Sequence, residues 1–132
     1  MNMNNNMVAV IDYGSQYTQL IARRIRELNV FSEIYPHTVT KEDLLKSNVK
    51  AIILSGGPSS VYEVDSPGLD KSILDMDCPI LGICYGLQLL IKKHNGRVVS
   101  SGKGEYGFEK IQLKNTDCIL DGFTQSSQVW MS

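Results

Sequence analysis

The sequence has few of the residues that mark specialised protein classes. It contains three cysteines, two histidines and one tryptophan in 132 residues, and it has no Cys-x-x-Cys pair. An odd number of cysteines argues against a disulfide framework or a zinc site and fits a reducing compartment, so we expect a cytoplasmic protein with no metal site. The 13 Lys and Arg residues nearly balance the 14 Asp and Glu residues. Without a basic excess, we expect no nucleic-acid partner.

Long apolar runs are also missing. No stretch approaches the roughly 20 apolar residues that span a bilayer, so we expect no membrane partner. Residues 1–6, Met-Asn-Met-Asn-Asn-Asn, have neither the charged nor the apolar region of a secretory signal. We interpret 1–6 as a disordered leader and 7–132 as one domain. Its hydrophobic content of 42% is typical of globular proteins.

Apolar runs and helical patterns alternate four times up to residue 95. The predicted strands span residues 7–11, 30–35, 51–54 and 79–83, and the predicted helices span 15–29, 41–47, 69–76 and 85–94. This alternation predicts an α/β fold: a doubly wound, mostly parallel sheet with helices on both faces. Further strand candidates at 97–101, 108–113 and 128–131 predict an antiparallel C-terminal part.

The first predicted helix has a clear start signal and an apolar face. Ser15 is its expected N-cap, since a serine hydroxyl can accept from the first free N–H groups of a helix. Apolar residues recur along it at helical spacing and predict a stripe packed on the sheet. The stripe consists of Tyr17, Leu20, Ile21, Ile25 and Leu28.

The strongest chemical signal is Gly-Ile-Cys-Tyr-Gly at residues 82–86. It is the cysteine form of the nucleophile elbow, in which the nucleophile occupies a tight strand-to-helix turn between two glycines. The turn sets Cys84 at a helix N-terminus, where free N–H groups favour the thiolate. The N–H of Tyr85 is then aimed at an oxyanion formed on an attacked carbonyl. The alternative is that Cys84 is a small buried apolar residue, as we expect of Cys78 and Cys118.

A second signal is Ser-Gly-Gly-Pro at residues 55–58, directly after a predicted strand. Paired glycines let the backbone approach a ligand closely, and the N–H of Gly57 is a candidate second oxyanion donor. A plain strand-to-helix turn would have the same composition. The loop is not a phosphate-binding loop, because no Gly-Lys-Ser/Thr follows it.

A cysteine nucleophile normally needs a base, so both histidines are candidates. His94 lies ten residues after Cys84 on the same predicted helix. Ten residues at a rise of 1.5 Å place it about 15 Å away, which excludes it as the base. His37 follows the second predicted strand, and nothing in the sequence around it favours it as the base.

Five segments together resemble the N-terminal class I glutamine amidotransferase domain of the GMP synthase family. They are 12–27, 55–62, 79–88, 105–107 and 129–132. The cysteine elbow is typical of class I amidotransferases in general. The opening Gly-Ser-Gln-Tyr-Thr-Gln and the closing Val-Trp-Met-Ser narrow the resemblance to the GMP synthase family. It covers residues 7–132 and implies a flavodoxin-like three-layer sandwich whose C-terminal part is incomplete.

The resemblance implies roles for five residues. Cys84 would attack the side-chain amide of glutamine, releasing ammonia and leaving a γ-glutamyl thioester. Gly57 and Tyr85 would supply oxyanion N–H groups, and Gln88 and Ser132 would hold the amino-acid end of the substrate. The ammonia would pass to an ATP pyrophosphatase domain or subunit that uses ATP and Mg²⁺ to aminate XMP to GMP in purine biosynthesis; this domain itself would bind no cofactor.

The sequence lacks one motif that the family needs for glutamine hydrolysis. The family's catalytic histidine and glutamate come from a His-Pro-Glu motif beyond the Trp-Met-Ser segment, and residues 1–132 contain no such motif. We therefore expect these residues to be the N-terminal portion of the domain, with negligible glutaminase activity alone. Two alternatives stay open: another cysteine-elbow α/β hydrolase or redox protein, and a non-catalytic module that docks on a synthetase subunit.

Overall fold

The computed structural model describes residues 6–58 and 65–98, and the backbone of two strands at 107–112 and 126–131. The chain divides into two compact units, Met1–Val98 and Val99–Ser132. Elements of the first unit are β1 Met7–Asp12, α1 Thr18–Glu27, β2 Phe31–Pro36, α2 Lys41–Leu45, β3 Val49–Leu54, a 3-10 helix Lys71–Asp75, β4 Ile80–Gly82 and α3 Tyr85–Lys93. The second unit contains β5 Gly107–Gln112 and β6 Ser126–Met131.

The described strands of the first unit form a parallel sheet in the order β2-β1-β3-β4. Val10 on β1 is paired with Ile34 on one side and Ile53 on the other, and Ile53 is paired with Leu81 on β4. This order, with β1 and β3 adjacent at the centre, is that of a flavodoxin-like sheet. The predicted doubly wound parallel architecture is confirmed.

Both faces of the sheet carry helices. On one face, Ile11 and Leu54 are fully buried in a cluster that includes Leu44 of α2, Ile73 of the 3-10 helix and Leu89 of α3. Full burial of one such side chain contributes about 2 kcal/mol.

On the opposite face, β2 is joined to α1 by a buried hydroxyl. Ser32 Oγ donates to the carbonyl of Ala22 on α1 at 2.8 Å. Ser32 is paired with Val8, whose side chain points away from the Ile11 face because successive strand residues alternate. The predicted helices on both faces are therefore present.

Helix α1 differs from the prediction at its start and along its face. It begins at Thr18, and Ser15 is not its N-cap but accepts from the N–H of Tyr17 in the preceding turn. The residues of α1 that are buried are Thr18 and Ala22; of the predicted stripe, Ile21 and Ile25 are half-buried, whereas Tyr17, Leu20 and Leu28 are 50%, 41% and 76% exposed. The small residues Thr18 and Ala22 are therefore the most buried positions of α1.

Other elements follow the predictions with smaller changes. Thr40 caps α2 in a capping box with Asp43. The predicted helix at 69–76 is a shorter 3-10 helix, whose N-cap Asp70 accepts from the N–H of Ser72 at 3.1 Å.

The described residues of the second unit, taken by themselves, form a two-stranded antiparallel sheet. Gly107 is paired with Met131 and Gln112 with Ser126, as the predicted antiparallel strands require. The predicted strand at 97–101 is not formed at residues 97 and 98. Its remaining residues, like residues 1–5 of the predicted leader, lie outside the described residues.

Candidate active site

Cys84 lies in a strained turn between β4 and α3. Its φ of 51° and ψ of −113° fall in a region that non-glycine residues rarely adopt, at a cost of order 1–3 kcal/mol. It directly precedes α3, and its side chain is exposed. The interpretation of Cys84 as a small buried apolar residue is therefore wrong. The structure shows the backbone of a nucleophile elbow, with sulfur presented to solvent at the helix N-terminus.

The glycines on either side are required by close packing. A Cβ on Gly82 would lie 2.7 Å from the backbone of Leu87, inside the first turn of α3. A Cβ on Gly86 would lie 2.2 Å from the carbonyl oxygen of Leu54 at the end of β3. Both distances are shorter than any real contact, so the elbow can form only with these two glycines.

The Ser-Gly-Gly-Pro loop lies beside the nucleophile. A Cβ on Gly56 would lie 3.3 Å from Cys84 Cβ and 4.0 Å from Cys84 Sγ. Gly57 packs on the turn after β1, where a Cβ would lie 2.0 Å from the Tyr13 carbonyl oxygen. The loop and the elbow therefore meet at the carboxyl ends of adjacent strands, β3 and β4.

A cavity of about 360 Å³ opens at this point. Its walls are formed by residues 14–17, residues 56–58 and Cys84. The cavity thus contains two of the predicted site residues, Cys84 and Gly57. Its volume is in the range of small-molecule sites.

The loop and the elbow that meet at Cys84 each contain one of the predicted backbone donors. Neither the N–H of Gly57 nor that of Tyr85 donates to an acceptor within residues 6–58 and 65–98. Tyr85 is the first residue of α3, where the N–H has no partner inside the helix. Both groups therefore remain available to a ligand oxygen.

Three aromatic rings join the elbow to the ends of β1 and β2. Tyr13 is stacked on His37 with ring centroids 6.1 Å apart, and it contacts the tilted ring of Tyr85 at 5.2 Å. The hydroxyl of Tyr13 donates to the Gly68 carbonyl at 3.1 Å, and that of Tyr85 donates to the Pro67 carbonyl. Burial raises the pKa of Tyr13 well above its usual range, and the neighbouring Tyr85 raises it further.

The remaining predicted residues divide into described and undescribed ones. Gln88 is half-buried on α3, one turn after Cys84, and its N–H donates to the Cys84 carbonyl at 3.1 Å. His94 caps the far end of α3, as expected. Cys78 is partly buried, and burial raises the pKa of its thiol. Ser132 and Cys118 lie outside the described residues.

Sequence reasoning missed the contribution of residues 14–17 to the cavity. The signal was present in the strand order, because ligands of doubly wound sheets bind where neighbouring connections leave in opposite directions. Here α1 follows β1 on one face, whereas the 3-10 helix follows β3 on the other. The turn after β1 therefore had to border the site.

Metal-binding clusters and membrane-spanning helices are both absent from the described residues. Within the described ranges, no group of three or more His, Cys, Asp and Glu side chains is placed to hold a metal ion. No helix in the part of the chain that the structure describes is long and apolar enough to cross a membrane.

Known proteins resemble the chain over its whole length in sequence. The chain is 51% identical over 132 residues to the glutamine-hydrolyzing GMP synthase of Brachyspira hyodysenteriae, and 48% identical over 128 residues to that of Bacillus subtilis. These alignments cover 100% and 97% of this chain but 26% and 25% of the relatives, so the chain spans about a quarter of their length.

A solved structure and a family model agree with these relatives. A GMP synthase subunit from Thermoplasma acidophilum matches with a TM-score of 0.82 and 31% identity, over 98% of this chain and 65% of that one. Residues 9–132 match the model of the class-I glutamine amidotransferases. With this match over nearly its whole length, the chain belongs to the class-I glutamine amidotransferase family.

Proposed function

We propose that the chain takes ammonia from glutamine with Cys84 as the nucleophile. The Cys84 thiol gives up its proton, the sulfur bonds to the side-chain amide carbon, the C–N bond breaks, and the amide nitrogen takes up one proton and leaves as ammonia. Water then cleaves the γ-glutamyl thioester to glutamate and regenerates the thiol. The observation that carries this proposal is the exposed Cys84 sulfur in a strained elbow at the wall of a cavity.

The backbone N–H groups of Gly57 and Tyr85 are the proposed oxyanion donors. Gly57 lies in the loop after β3 and Tyr85 begins α3, and neither N–H has an acceptor in the described part of the chain. Donors fixed before the reaction stabilise the negative charge of the tetrahedral intermediate without reorganisation. We assign Gln88 and Ser132 to the amino-acid end of glutamine, following the resemblance of residues 79–88 and 129–132 to the family.

The destination of the ammonia is proposed from the relatives. Proteins named as glutamine-hydrolyzing GMP synthases match the chain at about 50% identity, and the similar solved structure is that of a GMP synthase subunit. We propose that ammonia passes to an ATP pyrophosphatase domain or subunit, which binds ATP and Mg²⁺ and aminates XMP to GMP. A cytoplasmic location is supported by the free thiols of Cys78 and Cys84.

Labelling with a chloroketone analogue of glutamine tests the proposed chemistry. Its ketone accepts the same sulfur attack as the amide, and mass spectrometry identifies the modified residue. We expect selective modification of Cys84, competition by glutamine, and loss of labelling in Cys84→Ser. Cys78→Ser is the matched control, because it removes a partly buried thiol and should label like the wild type. Labelling that glutamine does not slow would contradict the proposal.

A further inference from the structure

Ser55, the first residue of the Ser-Gly-Gly-Pro loop, and Thr18 of α1 form a buried pair of hydroxyls that does not line the cavity. Ser55 is fully buried and Thr18 is 2% exposed. Their Oγ atoms are 3.1 Å apart, across 37 residues of sequence. Buried polar groups are costly unless they are hydrogen-bonded, so a pair so deeply enclosed needs a structural reason.

The Ser55 hydroxyl joins the ends of β1 and β3. It donates to the Ile11 carbonyl at 2.7 Å and accepts from the N–H of Tyr13 at 3.4 Å. Thr18 Oγ1 extends the network to Asp12 Oδ1 at 3.2 Å, and the same carboxylate oxygen accepts from the N–H of Gly14 at 2.7 Å. Apart from the carbonyl of the adjacent Gly56, which lies 3.4 Å from Ser55 Oγ, every partner lies at the end of β1, in the turn that follows it or at the start of α1.

The position of that turn determines the position of Gly57. The Tyr13 carbonyl oxygen occupies the space in which a Gly57 Cβ would lie, so the two backbones are in direct contact. A shift of Tyr13 therefore moves Gly57 and its N–H. A displacement of about 1 Å in a catalytic group can reduce a rate about 100-fold.

We propose that Ser55, supported by Thr18, is a positioning residue that sets the oxyanion N–H of Gly57 through the Tyr13 backbone. The inference rests on the proposed function, because it needs Gly57 to act on an oxyanion. Ser55 itself touches no substrate: it is fully buried and does not line the cavity. The hydroxyl pair therefore acts on the geometry of the donor rather than on the reacting atoms.

Two alkylating reagents distinguish this role from a general structural one. A chloroketone analogue of glutamine passes through an oxyanion, whereas iodoacetamide reacts by direct displacement at a saturated carbon and forms none. In the full chain, we expect Ser55→Ala and Thr18→Val to slow chloroketone labelling of Cys84 about tenfold. Iodoacetamide labelling of Cys84 should stay within about twofold of the wild-type rate.

Matched variants complete the test. Ser55→Ala should still fold, because the backbone N–H of Ser55 continues to donate to the Ile11 carbonyl at 3.1 Å. Thr18→Ser keeps a hydroxyl and should restore most of the chloroketone rate. Ser32→Ala removes an equally buried hydroxyl that donates to a carbonyl on α1, and it should change neither rate.

The possible results separate the two proposals. Wild-type chloroketone labelling in Ser55→Ala, or an equal fall for both reagents, would overturn the inference alone. If the wild-type protein reacts with iodoacetamide but not with the chloroketone, the proposed function itself is contradicted, and the inference with it.

Discussion

Two glycine-containing turns meet at Cys84, and they are held in different ways. The elbow at 82–86 is fixed by contacts of its own glycines with the following helix and with the end of β3, and it carries a strained φ at Cys84. The loop at 55–58 has no positive φ among its described residues, and its Ser55 hydroxyl donates to the Ile11 carbonyl on β1 and accepts from the N–H of Tyr13 in the turn after β1. The elbow thus depends on steric packing, whereas the loop combines a close contact of Gly57 with hydrogen bonds of Ser55 to residues about forty positions away.

The largest expected effect tests whether the elbow at 82–86 is fixed by steric packing. In Gly86→Ala, the new Cβ would lie 2.2 Å from the carbonyl oxygen and 2.6 Å from the Cβ of the fully buried Leu54. Neither atom can move without shifting the end of β3, so we expect a loss of about 3 kcal/mol or more in the free energy of unfolding. Urea unfolding of the full chain measures it.

Gly68→Ala is the control for that variant. Among the residues that the structure describes, nothing lies within 4 Å of a Cβ at Gly68, so the unfolding free energy of the variant should stay within about 0.5 kcal/mol of wild type. Equal stability of the two variants would show that the elbow is not sterically fixed.

The difference between the two turns explains what the sequence could reveal. The elbow was predictable because two glycines at fixed offsets from Cys84 signal it, even though only the Gly82 contact with Leu87 is local and the Gly86 contact is with the distant Leu54. The same holds for the apolar strands and for the Thr40 cap of α2, which needs only Asp43 three residues later.

Features that depend on distant partners were not predictable. Ser15 looked like a helix cap, yet α1 starts at Thr18, whose hydroxyl contacts Asp12 and Ser55 instead. The buried face of α1 was assigned to large apolar residues, because periodicity cannot show that Ala22 must approach a serine on β2. Ser132 lies outside the described residues, and its role stays a prediction.

The next prediction concerns the loop. Gly57→Ala would place a Cβ 2.0 Å from the Tyr13 carbonyl oxygen, but Gly57 is only partly buried, so the loop can move outward. We expect the protein to fold and chloroketone labelling of Cys84 to slow about 100-fold, the effect of losing one oxyanion donor. Iodoacetamide labelling should be nearly unchanged. A loss of fold comparable to that of Gly86→Ala would show that both turns are sterically fixed.

A smaller effect is expected from Tyr13 and Tyr85, whose hydroxyls both donate to the segment at residues 67–68. Tyr13 borders the loop and Tyr85 the elbow, and their hydroxyls donate to the neighbouring carbonyls of Gly68 and Pro67. Tyr13→Phe and Tyr85→Phe should each lower the free energy of unfolding by about 1 kcal/mol. Because the rings are 5.2 Å apart, the double variant should deviate from additivity by about 0.5 kcal/mol or more. Strict additivity would mean that the two turns are independent.

The smallest expected effect is a loss of stability at alkaline pH that originates at Tyr13, next to the loop. Burial, followed by the neighbouring Tyr85, raises the pKa of Tyr13 above its ordinary value near 10, so the folded protein retains a proton that the unfolded chain loses. Stability from this group is complete below pH 10 and falls as the pH rises further. Urea midpoints at pH 8 and pH 10.5 should therefore differ less in Tyr13→Phe than in wild type. Tyr35→Phe is the comparison, since burial also raises the pKa of Tyr35 while a hydrogen bond with Ser47 opposes the shift. If Tyr35→Phe removes more of the pH dependence than Tyr13→Phe, the ring contact between loop and elbow does not control the alkaline stability.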